Sequence, residues 1–302
     1  MTGSGVSAYP LPARRRDSFA VNMLGAAIGS FRIQARLGRG GFGEVWLASH
    51  DETQHRVAIK LFHPAVAAHP ALQLCFDEAR VLSRLAAGGI AKIYDANILP
   101  NGVAYMIQDF VEGDSLLARI AYSRHSTTQL ADIIEQTANA LVAAANAGVL
   151  HNNLKPSNIF IVKDSDRASG ERVVVVDFAH GRLVSALPSN GNAGYMAPEQ
   201  LGGTKGDWRM DAYSLGCIAF ELGCQRPVFA ADSWDKLRSR HAKDMPPNLR
   251  SFVPDASAAL DRLVARMLEK NPLERPKSMK DISKLFQLMV GYEAPLGETV
   301  KD

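Results

Sequence analysis

The sequence predicts an α+β protein in which strands come first and helices follow. Between residues 31 and 109, short β-branched and aromatic runs are separated by glycine-rich and Pro-Asn-Gly turns, a pattern typical of antiparallel strands. Beyond Gly113, apolar residues recur at intervals of three and four, as on the buried face of a helix. With 47% hydrophobic and 22% charged residues in 302, the chain has enough apolar surface for a sizeable core.

Composition narrows the classes of function. The net charge of +3 is small, and the compact basic run Arg14–Arg16 lies in a segment without helical periodicity, so we expect no nucleic-acid partner. Residues 18–31 are apolar but interrupted by glycines, and they fall short of the roughly 18 apolar residues that a membrane span requires. Cys75, Cys217 and Cys224 have no metal-ligand spacing and fit buried thiols in a reducing compartment. We therefore expect a cytoplasmic protein.

The first motif is a glycine-rich turn between two strands. The run Phe31–Ala48 has the pattern strand, turn, strand, and its turn carries Gly38, Gly40 and Gly43 in the spacing G-x-G-x-x-G. This spacing also precedes a helix in dinucleotide-binding folds, but the residues after Gly43 are typical of a strand, which favours a hairpin that covers phosphates. Glycines let the backbone approach phosphate oxygens without an intervening side chain. For this motif alone, an ordinary hairpin turn is the alternative.

The second motif, Val57–Lys60, is a short strand that ends in a cation. Lys60 is expected to point into the space beneath the glycine turn, where an ammonium can meet phosphate oxygens. A lysine in that position needs a carboxylate to orient it, and the helix predicted from about Ala71 to Leu85 supplies Glu78, with Asp77 as the competing acid. The apolar face predicted for this helix comprises Leu74, Val81, Leu82 and Leu85.

Two further strands and a long helix follow. Residues 90–113 predict strands on either side of the turn Pro100–Gly102, and then a linker that ends at Gly113. Alanines and other apolar residues at helical spacing predict a long helix from Thr127 to Gly148, because glycine commonly ends a helix.

The candidate catalytic and metal-binding residues lie in polar motifs in the second half of the sequence. Residues 151–158 read His-Asn-Asn-Leu-Lys-Pro-Ser-Asn, and a run of valines ends in Asp177-Phe178-Ala179. Ala197-Pro198-Glu199 comes next, and the segments 211–216 and 271–276 follow it with the sequences Asp-Ala-Tyr-Ser-Leu-Gly and Asn-Pro-Leu-Glu-Arg-Pro.

In order and spacing, these motifs resemble those of the eukaryotic-type (Hanks-type) Ser/Thr protein kinases, over about residues 31–289. The resemblance implies a two-lobed protein kinase fold within residues 28–290, with a small β-rich N-lobe and a larger, mainly helical C-lobe. Ordered structure is expected to begin near Phe31. The implied segments are a disordered N-terminal tail (1–27), the N-lobe (31–111), the C-lobe (114–289) and a C-terminal tail (291–302).

The resemblance also implies that the cleft between the lobes binds ATP with Mg²⁺. Lys60, paired with Glu78, is expected to meet the phosphates, while Asn158 and Asp177 hold the metal. Gln108 takes the gatekeeper position, which is more often apolar, and narrows what can enter behind the adenine. The implied nucleotide contacts are Leu37, Gly38, Gly40, Gly43, Val45, Ala58, Lys60, Glu78, the backbone of Asp109 and Val111, and Phe160.

The sequence departs from the kinase motif at the position of the catalytic base. The kinase loop reads His-Arg-Asp-Leu-Lys-Pro-x-Asn, and its Asp position is Asn153 here. An amide has no basic lone pair at neutral pH, so Asn153 can accept a hydrogen bond from a hydroxyl but cannot take its proton. Lys155 is retained near the expected γ-phosphate position. Two further positions of the same unit also differ: Asn192 replaces the Thr that contacts this Asp in the family, and Asn152 replaces the Arg that pairs with a phosphorylated activation loop.

Three functions follow from this inventory. The leading hypothesis is a nucleotide-binding pseudokinase whose conformation is recognised by a protein partner. The alternative is a slow but genuine Ser/Thr kinase that phosphorylates a protein substrate, and the third is a scaffold that binds neither ATP nor metal. A relocated carboxylate would favour the enzyme, and the candidates are Asp164 and Asp166 on the turn after a strand.

Two structural expectations complete the resemblance. Arg275 and Glu199 are predicted to form a buried ion pair, whose loss would cost about 3–5 kcal/mol. Ala179 replaces the usual glycine after Asp-Phe, and its side chain is expected to restrict the positive φ angles that glycine allows.

Overall fold

A computed structural model describes residues 23–187, 190–203 and 206–290, apart from the side chains of residues 190–192. The described chain forms the two predicted lobes. The N-lobe is one antiparallel sheet in the order β1-β2-β3-β4-β6-β5. Its strands are β1 (Ala27–Ile28), β2 (Phe31–Arg39), β3 (Gly43–His50), β4 (Arg56–Phe62), β5 (Ile93–Ile98) and β6 (Ala104–Asp109).

Two helices, α1 (Pro64–Ala67) and α2 (Ala71–Leu82), lie between β4 and β5. The face that α2 buries comprises Ala71, Leu72, Cys75, Phe76, Ala79 and Leu82. The predicted apolar face is therefore partly wrong, because Leu74 and Val81 are exposed on the other side of the helix. Apolar residues occur on both sides of α2, and the sheet covers only one of them.

The fold begins earlier than predicted. Ala27 and Ile28 pair with the start of β2, and Ile28 is fully buried beneath the sheet. Gly25 also donates its backbone N–H to the Ile33 carbonyl at 2.9 Å. Residues 23–27 therefore belong to the N-lobe rather than to a disordered tail, while residues 1–22 and 291–302 lie outside the described chain.

The C-lobe is mainly helical, with a small sheet in the order β7-β8-β9 at its junction with the N-lobe. The strands are β7 (Asp114–Ser115), β8 (Ile159–Lys163) and β9 (Glu171–Val175). The helices are α3 (Leu116–Tyr122), α4 (Thr127–Asn146), α5 (Gly181–Ala186), α6 (Pro198–Leu201), α7 (Trp208–Cys224), α8 (Trp234–Lys243), α9 (Ala258–Met267) and α10 (Met279–Val290). The central helix is α7, which is buried along most of its length.

The long helix α4 begins at Thr127, as predicted, and ends at Asn146, two residues before the predicted end at Gly148. Ser126 and Gln129 form a reciprocal capping box at its start, which satisfies backbone donors that a helix leaves free. At its end, Gly148 adopts a φ of 80°, the left-handed conformation that glycine accepts at low cost.

The linker between the lobes requires a glycine. A Cβ at Gly113 would lie 2.3 Å from the Ile161 carbonyl oxygen, so the chain passes too close to β8 for any side chain. Gly113 thus marks the passage between the lobes, as predicted, and it fixes the back edge of the cleft.

The predicted ion pair between Arg275 and Glu199 is confirmed. The guanidinium is fully buried and binds the two carboxylate oxygens at 2.6 and 2.9 Å. It also donates to the carbonyls of Glu269 and Arg209 and lies over the Tyr213 ring. The ion pair therefore joins α6 to the segment after α9.

Candidate active site between the lobes

A cavity of about 840 Å³ opens between the lobes, within the usual size range of small-molecule sites. The glycine hairpin covers it, the linker closes its back, and the loop at residues 151–158 forms its floor. All but one of the predicted site residues line this cavity. They are Leu37, Gly38, Gly40, Gly43, Val45, Ala58, Lys60, Asp109, Val111, Asn153, Lys155, Asn158, Phe160 and Asp177.

The glycine hairpin is held close to β4. A Cβ at Gly43 would lie 2.0 Å from the Leu61 carbonyl oxygen, so only glycine fits where β3 crosses β4. The Gly40 N–H donates to the Gly43 carbonyl at 2.8 Å, and the His63 N–H donates to the Phe42 carbonyl at 2.9 Å. Phe42, at the tip, is buried against His180, with their rings 6.3 Å apart. The hairpin tip thus packs inward.

The residue missing from the cavity wall is Glu78, and the predicted ion pair between Lys60 and Glu78 is wrong for this structure. Lys60 Nζ instead binds Asp177 Oδ2 at 2.9 Å. Glu78 Oε1 accepts a hydrogen bond from Nε of Arg182, on α5, at 2.8 Å. Helix α5 brings a guanidinium to Glu78, and the sequence pattern gave no sign of this short helix.

Lys60 and Lys155 give the floor of the cavity a positive field. Burial raises the pKa of Asp177, but the charge and hydrogen bond of Lys60, together with other nearby groups such as Lys155, outweigh burial and lower that pKa well below its usual range. Asp177 is therefore an anion. Burial lowers the pKa of Lys155 against the attraction of Asp177, and Lys155 forms no ion pair with any described residue. Two ammonium groups thus share one carboxylate, which favours an anionic ligand.

The loop at residues 151–158 is fixed from beneath by α7. Asp211 accepts hydrogen bonds from the backbone N–H groups of His151 and Asn152 at 2.9 and 2.7 Å. Within the loop, Asn158 Nδ2 donates to the Asn153 carbonyl at 3.0 Å. This bond points the Asn158 amide oxygen away from the loop backbone, while Asn153 itself is nearly buried in the cavity floor.

Neither candidate for a relocated carboxylate lies in the cavity. Asp164 pairs with Arg172 at 3.1 Å on the turn between β8 and β9, and Asp166 lies on the same turn. Neither residue lines the cavity. The structure therefore removes the argument that one of them replaces the missing base.

The Asp-Phe-Ala segment adopts an unusual backbone. Asp177 and Ala179 have φ angles of 61° and 67°, in the left-handed region. The sequence expectation that alanine restricts such angles is wrong here, since Ala179 adopts one. This conformation costs a residue with a Cβ about 1–2 kcal/mol, so contacts around the segment must offset the strain.

His180 provides such contacts, and sequence analysis missed it. The side chain is fully buried, and its Nδ1 lies 3.0 Å from the Asp177 carbonyl and 2.9 Å from the Phe178 carbonyl. Both partners are acceptors, so Nδ1 carries the proton. The ring packs against Phe42 and Phe62 and ties the strained segment to the N-lobe. A histidine directly after Asp-Phe-Ala was the available signal.

Buried histidines predict a loss of stability in acid. Burial lowers the pKa of His151 and His180 to about 4 and that of His241 to about 3. The unfolded chain binds these protons near pH 6.5, so stability is full above that pH and falls as pH drops toward the folded-state values. Each histidine should cost about 2 kcal/mol between pH 6.5 and 5. Burial raises the pKa of Asp211 to about 6 and offsets part of this loss.

Chemical denaturation at pH 7, 6 and 5 measures this loss. Replacing His241 with Phe should reduce the loss by about 2 kcal/mol and leave the share of His151 and His180, whereas replacing the exposed His55 with Gln should not reduce it. A free energy of unfolding that stays constant from pH 7 to 5 would contradict the prediction.

Comparison with known proteins agrees with the fold and the cavity. Residues 31–286 match the protein kinase domain family, so the chain belongs to the protein kinases. It is 34% identical over 274 residues to the serine/threonine-protein kinase Pkn1 of Myxococcus xanthus, covering 88% of this chain and 39% of that protein. It is also 34% identical to PknD of Mycobacterium tuberculosis, covering 88% of this chain and 40% of that protein.

A crystal structure of the M. tuberculosis PknI kinase domain is similar, with a TM-score of 0.73 and 26% identity, covering 90% of this chain and all of that one. The chain thus has the Hanks-type Ser/Thr kinase fold, and it spans about two fifths of the length of Pkn1 and PknD. No helix among the described residues is long and apolar enough to cross a membrane.

Proposed function

We propose that this chain binds Mg-ATP in the cavity between the lobes and acts as a pseudokinase, whose nucleotide-dependent conformation is recognised by a protein partner. One observation carries the proposal. Of the carboxylates that border the cavity, Asp109, Glu112 and Asp114 lie at the linker end, and Asp177 is bound by Lys60. Asn153 occupies the position of the family's base, so no described carboxylate is available to take a hydroxyl proton there.

The residues present fit a magnesium ion. Asp177 is ionised and the amide oxygen of Asn158 is not engaged by its loop, and both are the oxygen donors that Mg²⁺ prefers. When bound, the metal neutralises charge on the phosphates. Lys60 and Lys155 are the groups of this chain that attract the phosphate oxygens, and the glycine hairpin lines the same cavity.

Nucleotide binding is expected to be coupled to the position of α2. In this structure, Lys60 forms an ion pair with Asp177, and Arg182 forms an ion pair with Glu78. Binding of Mg-ATP competes with Lys60 for Asp177, and a released Lys60 gains a new partner if Glu78 leaves Arg182. A ligand that favours one arrangement shifts the population toward it. A partner that contacts α2 or α5 can therefore sense the nucleotide.

Mg-ATP should raise the melting temperature of the protein. A ligand at 100 times its Kd stabilises the folded state by about 2.7 kcal/mol, which corresponds to about 5–10 °C for a domain of this size. Lys60→Met and Asp177→Asn should abolish the increase, whereas Asp164→Asn, outside the cavity, should keep it. The increase on adding nucleotide is compared within each variant, because Lys60 and Asp177 also stabilise the fold. No increase for the unmodified protein at millimolar Mg-ATP would favour the scaffold hypothesis.

Releasing Glu78 should strengthen nucleotide binding. The Arg182 side chain is 54% exposed, so its bond to Glu78 is worth about 0.2–1 kcal/mol, and Arg182→Gln should lower the Kd for Mg-ATP by up to about fivefold. Calorimetric titration measures this change, and Arg182→Lys is the charge-matched control. Equal affinities for Arg182→Gln and the unmodified protein would refute the coupling.

The second candidate function is a slow Ser/Thr kinase. Lys155 supports it, because this half-buried ammonium lies in the cavity without a carboxylate partner of its own among the described residues and can stabilise charge on a transferring phosphoryl group. Phosphoryl transfer depends mainly on positioning and electrostatics, so loss of the base lowers the rate without abolishing it. In that case a protein substrate replaces the protein partner.

A further inference from the structure

A second groove borders the linker, and we call it the linker groove. Its volume is about 790 Å³, within the usual size range of ligand sites. Linker residues 109–112 line both this groove and the cavity between the lobes. The other sides of the linker groove are formed by residues 85–92, which join α2 to β5, and by β8 and β9. A molecule bound there therefore touches the same linker as a nucleotide in the cavity.

The floor of the linker groove is aliphatic. Val162 on β8 and Val174 on β9 lie on the same face of their sheet and belong to one apolar cluster, against which Val111 of the linker packs. Leu85 and Ile90 extend this surface and, like Val111, are only half-buried. An aliphatic side chain placed over them would remove further apolar surface from water, which favours binding.

Both carboxylates that line the linker groove in the described chain already have partners. Asp109 accepts hydrogen bonds from the Tyr94 hydroxyl at 2.6 Å and from the Lys92 backbone N–H at 2.9 Å. Glu112 forms an ion pair with Arg56. The groove therefore offers little unpaired negative charge to a cationic ligand.

The cations that line the linker groove are less fully engaged. Lys92 and Lys163 are exposed, and neither forms an ion pair or a side-chain hydrogen bond with a residue that the structure describes. Arg172 binds Asp164 at 3.1 Å and donates to one backbone carbonyl at 2.7 Å, which leaves its Nη2 group without a partner in the described chain. The unpaired charge of the groove is therefore positive.

We infer that the linker groove binds an acidic segment of the protein partner, with an aliphatic side chain over the valine floor and carboxylates beside the three cations. The inference rests on the proposed function, because it identifies the surface that this partner contacts. Complementary charge favours an acidic segment over a basic one, which would face like charges. Since the linker is a wall of both sites, the acidic segment and Mg-ATP should each change the affinity of the other by the same factor.

Fluorescence anisotropy with synthetic peptides tests the inference. The probe is the labelled peptide Glu-Leu-Asp-Leu-Glu, and its controls are Gln-Leu-Asn-Leu-Gln, without the charges, and Glu-Ala-Asp-Ala-Glu, without the aliphatic side chains. Each control should bind about 10-fold more weakly than the probe or worse. Lys92→Gln and Lys163→Gln should each weaken the probe by about 2- to 5-fold, whereas Lys236→Gln, outside the groove, should leave its Kd unchanged.

Mg-ATP at saturation should change the Kd of the probe by at least about twofold. Absence of probe binding at millimolar concentration, or equal binding of the probe and its uncharged control, would overturn the inference and leave the proposed function standing. The same holds if neither lysine substitution has an effect. An unchanged Kd in a protein that calorimetry shows to bind Mg-ATP would also overturn the inference, because the groove would not respond to the nucleotide. Binding of the probe without any binding of Mg-ATP would instead defeat the proposed function.

Discussion

Replacing Asn153 with Asp is expected to raise the rate of phosphoryl transfer by about 10²–10⁴-fold, the usual contribution of a general base. The carboxylate would stand in the cavity floor near Lys155, on a loop that Asp211 and Asn158 already hold in place. Autophosphorylation and transfer to a generic basic protein measure the rate. The full gain requires Lys60 to leave Asp177, so the single change is expected to approach the lower end of the range.

Controls separate a restored base from a general effect of charge. Asn153→Leu should lack the gain, and Lys60→Met combined with Asn153→Asp should lose it. Adding Asn192→Thr to Asn153→Asp is predicted to give more than the product of the separate effects, because the threonine hydroxyl orients the carboxylate in the family. The side chain of Asn192 lies outside the described chain, so this prediction rests on the sequence resemblance. A robust rate in the unmodified protein that Asn153→Asp leaves unchanged would refute the pseudokinase assignment.

Replacing Arg275 with Leu is expected to lower the free energy of unfolding by about 3–5 kcal/mol. The substitution leaves the Glu199 carboxylate without its partner and also removes the donors to three backbone carbonyls. Urea denaturation measures the loss directly, and the melting temperature should fall with it. Since neither Arg275 nor Glu199 lines the cavity, the variant should bind nucleotide whenever it is folded.

The exposed pair of Lys236 and Asp232 is the matched control. Both side chains are largely in solvent, and pairs of this kind contribute about 0–1 kcal/mol. Lys236→Ala should therefore have a small effect on unfolding. If Arg275→Leu had an equally small effect, the argument that burial makes its ion pair important would be wrong.

The sequence was sufficient to predict the lobes and the cavity because each motif combines a residue type with a local backbone requirement. Gly43 and Gly113 occupy positions that admit no Cβ, and Lys60 lies on a strand whose direction is fixed by its pairing with β3 and β6. The positions of these residues depend on local backbone geometry. The spacing of residues within a motif is therefore enough to predict them.

Contacts between the lobes were not predictable in the same way. Glu78 and Lys60 lie on separate elements, and their pairing depends on how α2 sits against α5. Arg182 competes for Glu78 through a helix of six residues that has no strong periodic signal. The strained Ala179 and buried His180 belong to the same arrangement, in which tertiary packing overrides local preference.

The start of the fold shows a related limit. Residues 1–27 mix Gly, Ser, Pro and Arg without periodicity, so the pattern alone suggested a tail that included residues 23–27. Ile28 is nevertheless buried, because β1 forms only by pairing with β2. A two-residue strand has no periodicity that a sequence could display.

Turnover of bound ATP distinguishes a cavity that binds ATP but transfers its phosphate poorly from the active site of a working kinase. The protein is saturated with magnesium and γ-labelled ATP, binding is quantified by equilibrium dialysis, and labelled phosphate on protein is counted over time with a basic protein present. We predict stoichiometric binding with a rate at least 100-fold below the roughly 1–100 s⁻¹ of protein kinases. Stoichiometric binding with a rate inside that range would show that the protein is an active kinase and contradict the pseudokinase assignment.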